Sequence, residues 1–556
     1  MDLSEIKKTE WDYIFVGGGL SASVVSHRLL EFDPKLKILV VEAGPNANDR
    51  ADIVWPNSTN LMGGDFDWKY KTVKQTHLND RKIDWASGKA LGGGTTINNN
   101  GWIRGDKFDY DLWGTQVNDS RWSYDGQLPF MKKSENFQGE DVDTQHRGVS
   151  GPSFIQSVIS TKRQWPLRDH VLKSWAELGI EALPGLDANA GNPVGVGDLQ
   201  ENKENGRREI ASAVYPLEGI TVLTETLVQK VLTGKTAEEI SAVGIELENG
   251  VEIYGREVIL SAGAARTPQI LMLSGIGPSE ELNKFNIFVV LDQPEVGKNL
   301  ADHTIFHHAW KVKNPADGWA LGSNNPLFAK PQYGWGCPMD FLATADVPKE
   351  GLIAAITEDE GVPPDPSTHP LLNKKRAFVE NIFMYAGAPD GSLVSMALIM
   401  LLTTSRGSVT LASGDIKDHP VIDPNYLSTA VDRYAIREGL KMQIKFAGSD
   451  TTIVGREILD GEKGAPGFDK VLSTDSTDEY LDARLRTGVS TSFHPMGTAA
   501  MGAVVDTDLK VKGVKNLRVV DTSVFPVVIT GHLQVATFAL AEQAAEIIYA
   551  DRREPI

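Results

Sequence analysis

An α/β fold is predicted from three observations near the start of the 556-residue chain. A short apolar run, Tyr13-Ile14-Phe15-Val16, is followed by Gly17-Gly18-Gly19 and reads as a buried parallel strand. Ala22, Val25 and Leu29 then recur at i, i+3 and i+7, one face of a helix that packs back onto that strand. A second apolar run, Ile38-Leu39-Val40-Val41, ends in an acid, Glu42. Strand, glycine turn, helix, strand and terminal acid together make a βαβ dinucleotide-binding unit.

Each position in that unit has a physical task. Gly17 makes the tight turn, and Gly19 lets the backbone approach a pyrophosphate. Leu20 and Ser21 open the helix, whose first turn offers free N–H groups and a positive dipole end. Glu42, with Ala43 beside it, is placed to accept hydrogen bonds from an adenosine ribose. Ala22 occupies the third glycine position, which the fingerprint permits. Glu42 lies somewhat beyond the usual spacing of roughly 20 residues. The unit alone does not distinguish NAD from FAD.

A chain of this length exceeds one compact core, so two or more packed domains are expected. Its 41% hydrophobic and 23% charged residues are those of an ordinary globular protein. The formal charge of −19 argues against nucleic acid or an anionic membrane as partner. The single cysteine, Cys337, excludes an intrachain disulfide or a cysteine metal cluster, no metal site is expected, and Cys337 reads as an incidental thiol in a Gly/Pro loop. The N-terminus carries no apolar signal-peptide core, and the apolar run Leu393 to Leu402 is half a membrane span, so an intracellular (cytoplasmic) protein is the expectation. Two sequons, at Asn57 and Asn118, keep secretion open.

Two further glycine segments follow. Gly88-Lys89-Ala90-Leu91-Gly92-Gly93-Gly94-Thr95-Thr96-Ile97-Asn98 suits a loop whose bare backbone lies against a flat or anionic ligand. Downstream, the strand Glu257-Val258-Ile259-Leu260 leads into Ser261-Ala262-Gly263-Ala264-Ala265-Arg266-Thr267-Pro268. There Thr267 reads as a helix N-cap, Pro268 as the first helical residue, and Gly275 as the stop.

At these residues a resemblance becomes specific. Gly88-Lys-x-Leu-Gly-Gly-Gly-Thr-x-Ile-Asn98-x-x-x-Trp102 resembles the first signature of the glucose–methanol–choline (GMC) oxidoreductase family. Gly263-Ala-x-x-Thr-Pro-x-Ile-Leu-x-x-Ser-Gly-Ile-Gly277 is similar to its second. The similarity continues through Gly297-Lys-Asn-Leu-Ala-Asp-His303, Ser405-Arg-Gly-Ser-Val-Thr-Leu and Ile422-Asp-Pro-Asn-Tyr-Leu427, and it spans the chain in order. The resemblance implies bound FAD, a Rossmann-like FAD-binding domain built from separated segments, and a substrate domain on a large antiparallel sheet. It divides the chain into FAD-binding segments 1–151 (with a cofactor-covering loop at about 60–105), 206–304 and 491–556, and substrate segments 152–205 and 305–490. Within the latter, 313–375 is rich in Gly, Pro and Asn and reads as irregular loops.

The resemblance also carries residues. Ser492-Phe493-His494-Pro495-Met496-Gly497-Thr498 and Gly531-His532-Leu533-Gln534 look like the family's two catalytic positions, so His494 and His532 are the catalytic candidates. Alcohol oxidation needs a group to take the hydroxyl proton while hydride leaves carbon, and imidazole titrates in the right range. His494 is assigned as base and His532 as hydrogen-bond partner of the developing alkoxide, with a reversed or shared role open. By resemblance Gly92, Gly94, Thr95, Asn98, Asn99, Val228, Asp521, Thr522, His532, Leu533 and Gln534 line the FAD site, and Asp521 contacts its phosphate or ribityl chain. The helix from about Leu533 to Ala550 presents its N-terminus to the flavin. Flavin-tethering members carry histidine where this chain has Ile97, so FAD is expected to be non-covalent.

Phe493, Trp102 and Trp335 are the candidate substrate-binding residues, with Phe525, Trp319 and Tyr333 as further aromatics. They favour a primary alcohol beside an aromatic or conjugated system, as in the aryl-alcohol oxidase-like branch, with oxygen or another electron acceptor. A dehydrogenase with a non-oxygen acceptor, a non-redox lyase or cyclase of secondary metabolism, and a silent flavin-binding protein are the alternatives.

Overall fold

The computed structural model describes residues 3–55, 61–139, 142–236 and 239–553. The Asn57 sequon and the first residue of the 60–105 loop lie outside them.

The elements that position the site, in chain order, begin with β1 (Trp11–Val16), α1 (Leu20–Phe32), β2 (Ile38–Val41) and β3 (Gly195–Asp198). Next come β4 (Thr221–Leu223), β5 (Val228–Lys235), β6 (Ile240–Leu247), β7 (Glu252–Leu260) and α2 (Gly263–Leu273). Then follow β8 (Thr304–Val312), β9 (Phe341–Ala345), α3 (Lys349–Glu360), β10 (Val379–Gly387), β11 (Leu393–Met400) and α4 (Ala430–Gly448). The chain closes with β12 (Leu459–Glu462), β13 (Ser490–Thr491), β14 (Leu517–Val519) and α5 (Gln534–Arg553).

One seven-stranded sheet runs β4-β2-β1-β7-β6-β5, with β14 also on β7. β1 is its centre, parallel to β2 and to β7, so that Val16 lies opposite both Val41 and Leu260. Ile14 and Phe15 are fully buried, as a strand covered on both faces requires. β7 changes partners along its length: Glu252–Tyr254 pair antiparallel with β6, and Val258–Leu260 pair parallel with β14. Ala22, Val25 and Leu29 of α1 are buried against this sheet, and α5 packs on α1, where Arg28 meets the buried Glu542 at 2.8 Å.

The other seven-stranded sheet is antiparallel, in the order β12-β8-β11-β10-β9-β3, with β13 on β8. Its register aligns Ile305, Ile399 and Glu380 in one row. The next inward-facing row holds His307, Ala397, Ile382 and Leu342. α4 covers the opposite face. Gly439 lies where an added methyl would strike Leu398, and the Gln443 amide donates to the Ala397 carbonyl at 2.8 Å.

Two local expectations need correction. α2 starts at Gly263, not at Thr267. The Thr267 hydroxyl instead accepts from the Ala262 N–H at 3.2 Å and donates to Asp521 at 2.6 Å, which secures the turn before the helix. Pro268 is therefore internal, and its missing N–H leaves the Ala264 carbonyl without its helical donor. The Thr498 hydroxyl fills that vacancy at 2.8 Å. Likewise 313–375 is not wholly irregular: β9, buried at all five positions, joins the antiparallel sheet, and α3 follows Pro348. The density of Gly and Pro around these two elements masked their short apolar patterns. Among the described residues no helix is long and apolar enough to cross a membrane.

Candidate active site

A continuous cavity of about 580 Å³ lies between the carboxyl ends of β1, β2 and β7 and the inner face of the antiparallel sheet. The helix N-termini of α1 and α5 open into it through Leu20 and Ser21, and through Leu533 and Gln534. Gly17 turns at φ +92°, and an added Cβ there would sit 2.6 Å from the Ser261 carbonyl oxygen, so only glycine fits. At Gly94 a Cβ would meet nothing within 4 Å, leaving bare backbone against open space. The Ser21 and Ser261 hydroxyls are buried here without a partner in the protein. Unpartnered donors, bare glycine backbone and an uncapped helix N-terminus are the donor set that a dinucleotide pyrophosphate satisfies. The residues fit that group.

Glu42, with Ala43 and Val228 beside it, lines the far end of this region. One carboxyl oxygen accepts the Gly18 N–H and the other the Gly44 N–H, both at 2.7 Å. Burial nevertheless pushes this carboxyl up to about 7, because two neutral donors do not replace its lost hydration. Gly94, Thr95, Asn98 and Asn99 line the cavity; Gly92 does not. Its N–H donates to the Gly18 carbonyl at 2.8 Å and its Cα faces Ile210, so it shapes the loop from behind. Asn98 accepts from Arg208 at 2.8 Å and donates to Gln534, which in turn donates to Asn202 at 3.0 Å. The chain of bonds fixes the N-terminus of α5 to the glycine loop. Thr522 and Asp521 also line the cavity, but the Asp521 carboxylate is already engaged by the Gly263 N–H (2.9 Å), Thr267 (2.6 Å) and the Ser523 N–H (2.8 Å). It ties α2 to the 522–524 turn rather than presenting free oxygens to a ligand.

His494 and His532 come together on the same cavity, ring centroids 5.0 Å apart. The sequence read from Thr491 shows how. Phe493 adopts a left-handed backbone (φ +62°), a conformation costing a non-glycine residue roughly 1–2 kcal/mol. It is held by its own N–H donating to Thr491 at 2.7 Å and by the His494 N–H donating to Asp302 at 2.8 Å. Asp302 is buried and also receives Trp85 (2.9 Å), Thr491 (2.7 Å) and Tyr426; burial raises its carboxyl above the usual range. The Nδ1 atoms of His494 and His303 lie 3.1 Å apart. Burial, then the neighbouring His532 and His303, hold the His494 imidazole well below its ordinary pKa, so it stands neutral with a lone pair available. On the other side, His532 Nε2 donates to the buried Glu380 carboxylate at 3.0 Å. Gly101 backs that ring so closely that an added Cβ would lie 2.7 Å from its Nδ1.

Asp302, His303 and Glu380 were not singled out from sequence. The Asp-His pair sat inside a recognised motif without an assigned task. Glu380 had a readable signal: an acid, with Asn381 beside it, interrupts the apolar run from Phe378 to Met384, where carboxylates are buried only with a partner.

Of the aromatic candidates, only Phe493 faces the cavity. Trp102 is fully buried against Phe538 and donates its indole N–H to Glu135 at 3.1 Å, so it belongs to the core. Trp335 packs beside Gly206, away from the cavity, and Phe525 packs at a tilt against Trp113. The walls contributed by the antiparallel sheet are instead aliphatic, from Ile305, Leu342, Ile382, Met384 and Ile399, while Trp68 and Trp85 line the cavity from the 61–105 segment. Cys337 and Asn100 also reach the cavity.

The fold and this site define a dinucleotide-dependent enzyme with a paired-histidine centre. The GMC oxidoreductase N-terminal family model matches residues 11–305 and the C-terminal one residues 403–541. The chain belongs to the GMC oxidoreductase family, FAD-dependent enzymes acting on CH–OH donors. It is 37% identical to the GMC-type oxidoreductase acuG of Aspergillus aculeatus, over 97% of this chain and 99% of that one. Among solved structures it is similar to pyridoxine 4-oxidase from Mesorbium loti, with TM-score 0.80, 26% identity and coverage of 97% and 99%. The formate oxidase of Aspergillus oryzae matches with TM-score 0.84, 25% identity and coverage of 98% and 99%.

Proposed function

We propose that this enzyme oxidises a primary alcohol to the aldehyde, with His494 as proton acceptor. The observation that carries the reading is the convergence of two imidazoles, each oriented by a buried neighbour, on one cavity that also receives the dinucleotide cradle. FAD, when bound, supplies the hydride acceptor. The remaining chemistry belongs to the chain. A base role at Nε2 requires His494 to carry its proton on Nδ1 and donate it to His303, leaving the Nε2 lone pair for the substrate hydroxyl. His532, turned by Glu380, supplies the second contact to the developing alkoxide. The aliphatic sheet face excludes water around both.

The division into cofactor segments 1–151, 206–304 and 491–556 and substrate segments 152–205 and 305–490 is part of the same proposal. It is supported by where the inner walls originate. Phe493 beside His494, and the likeness to a pyridoxine oxidase, favour a carbinol carbon next to an aromatic or conjugated system. An intracellular location is proposed with it.

The test is anaerobic mixing with a panel of alcohols while following flavin absorbance. Bleaching by a benzylic alcohol, with recovery and peroxide on admitting oxygen, supports an oxidase; bleaching without rapid recovery assigns another acceptor. Absence of bleaching by any primary alcohol overturns the reading. A second check concerns attachment. Because Ile97 stands at the tethering position, denatured and precipitated protein should release its yellow chromophore to the supernatant, and colour retained in the pellet would contradict this.

A further inference from the structure

Among the antiparallel-sheet side chains that line the cavity, His307 is the one polar group, and it has no hydrogen-bond or ion-pair partner among the described residues. Strand alternation explains its direction: Ile305 and His307 face the cavity, while Phe306 and His308 face α4, where His308 is satisfied by Gln443 at 2.7 Å. His307 is open to the cavity yet set among Ile382, Leu342 and Ala397, its row neighbours across the sheet. Both nitrogens of this exposed imidazole are unused by the protein and open from an aliphatic wall into the cavity, where a ligand can meet them.

The sheet register gives its distance from the chemistry. His307 lies one two-residue step beyond the Ile305–Ile399–Glu380 row and two strands across from Glu380. With about 3.4 Å per residue and about 4.8 Å per strand, the two Cα atoms are about 12 Å apart. Glu380 marks the level of the histidine pair.

We propose that His307 is a specificity residue that binds a second oxygen of the substrate, roughly 10 Å from the carbinol carbon. The substrate class is then an alcohol with an apolar body lying on the sheet and a neutral carbonyl or hydroxyl at its far end. Burial lowers the His307 pKa, consistent with a neutral imidazole that meets a neutral group rather than a carboxylate. The inference rests on the alcohol-oxidation reading for the identity of the near end.

The experiment uses the FAD-bound enzyme and benzyl alcohols bearing para-alkyl chains of graded length, ended by methyl or by hydroxyl. Binding is read from perturbation of the flavin spectrum and turnover is read separately. The wild type should bind the hydroxyl-ended probe of matching length about tenfold more tightly than its methyl-ended twin. His307→Leu should abolish that difference while leaving flavin content and methyl-ended binding unchanged, and His307→Gln should keep part of it. A hydroxyl preference that survives in His307→Leu, or no length-dependent preference in the wild type, overturns the proposal. Binding without flavin bleaching would defeat the alcohol-oxidation reading and still decide the role of His307.

Discussion

Asp302 holds the turn that presents His494 by accepting four donors at once, one of them the His494 backbone N–H. Asp302→Asn would replace an acceptor with a donor against some of them, leaving a buried mismatch of about 1–3 kcal/mol and freeing the strained Phe493. The expected result is a loss of kcat by one to two orders of magnitude with FAD content retained, measured by steady-state kinetics and flavin absorbance. Glu380→Gln should weaken His532 in the same manner. The pH dependence follows from His494. Its pKa is lowered, so the neutral base persists as pH falls through the ordinary histidine value of about 6.5. The acid limb of kcat/KM should therefore lie below that value, and a limb at or above it would contradict the assignment of His494 as base. What could be read in advance at this scale was residue type and motif: both histidines, Glu42 and Phe493 line the same cavity. Trp102 and Trp335 were misplaced because an aromatic side chain gives the same sequence signal in a core as in a pocket.

At the level of elements, the βαβ unit was legible because its periodicity is local. Strand β1, helix α1 and strand β2 each bury the residues whose spacing announced them. α2 was misjudged for a nonlocal reason. Pro268 looks like a first helical residue, yet the carbonyl it orphans is satisfied by Thr498, more than two hundred positions later. Thr498→Val should thus cost about 1–3 kcal/mol by leaving the Ala264 carbonyl buried and unpaired. A lower melting temperature with unchanged flavin spectrum is the expected outcome, while Thr498→Ser, which keeps the hydroxyl, should recover most of it. β9 escaped notice because five residues between Gly/Pro-rich turns carry too little pattern. Only pairing with β3 and β10 gives it its place.

At the scale of the molecule, several imidazoles are buried neutral, His303 and His494 beside the cavity and His308 beneath α4. Burial holds His303 at about 3 and His308 at about 4, and depresses His494 as well. Each stays unprotonated when folded but takes a proton when unfolded near pH 6.5, so the unfolded state binds more protons below that value. Stability should be full above about pH 6.5 and should fall as pH drops toward 4; thermal melts across that range check it. A melting temperature independent of pH there would show these histidines to be solvated. That convergence was the least legible feature in the sequence. His303 and His494 are brought together by pairing of the 301–304 and 491–496 segments, and Glu380 arrives from a third strand.

The central claim is that His494 is the group that accepts the substrate proton. The most direct measurement is the rate of flavin reduction in anaerobic rapid mixing, for wild type and His494→Ala with the same primary alcohol. A fall of about 10²–10⁴-fold in the limiting rate, with FAD still bound and substrate affinity little changed, is the predicted result. Reduction of the flavin by His494→Ala at the wild-type rate would contradict it.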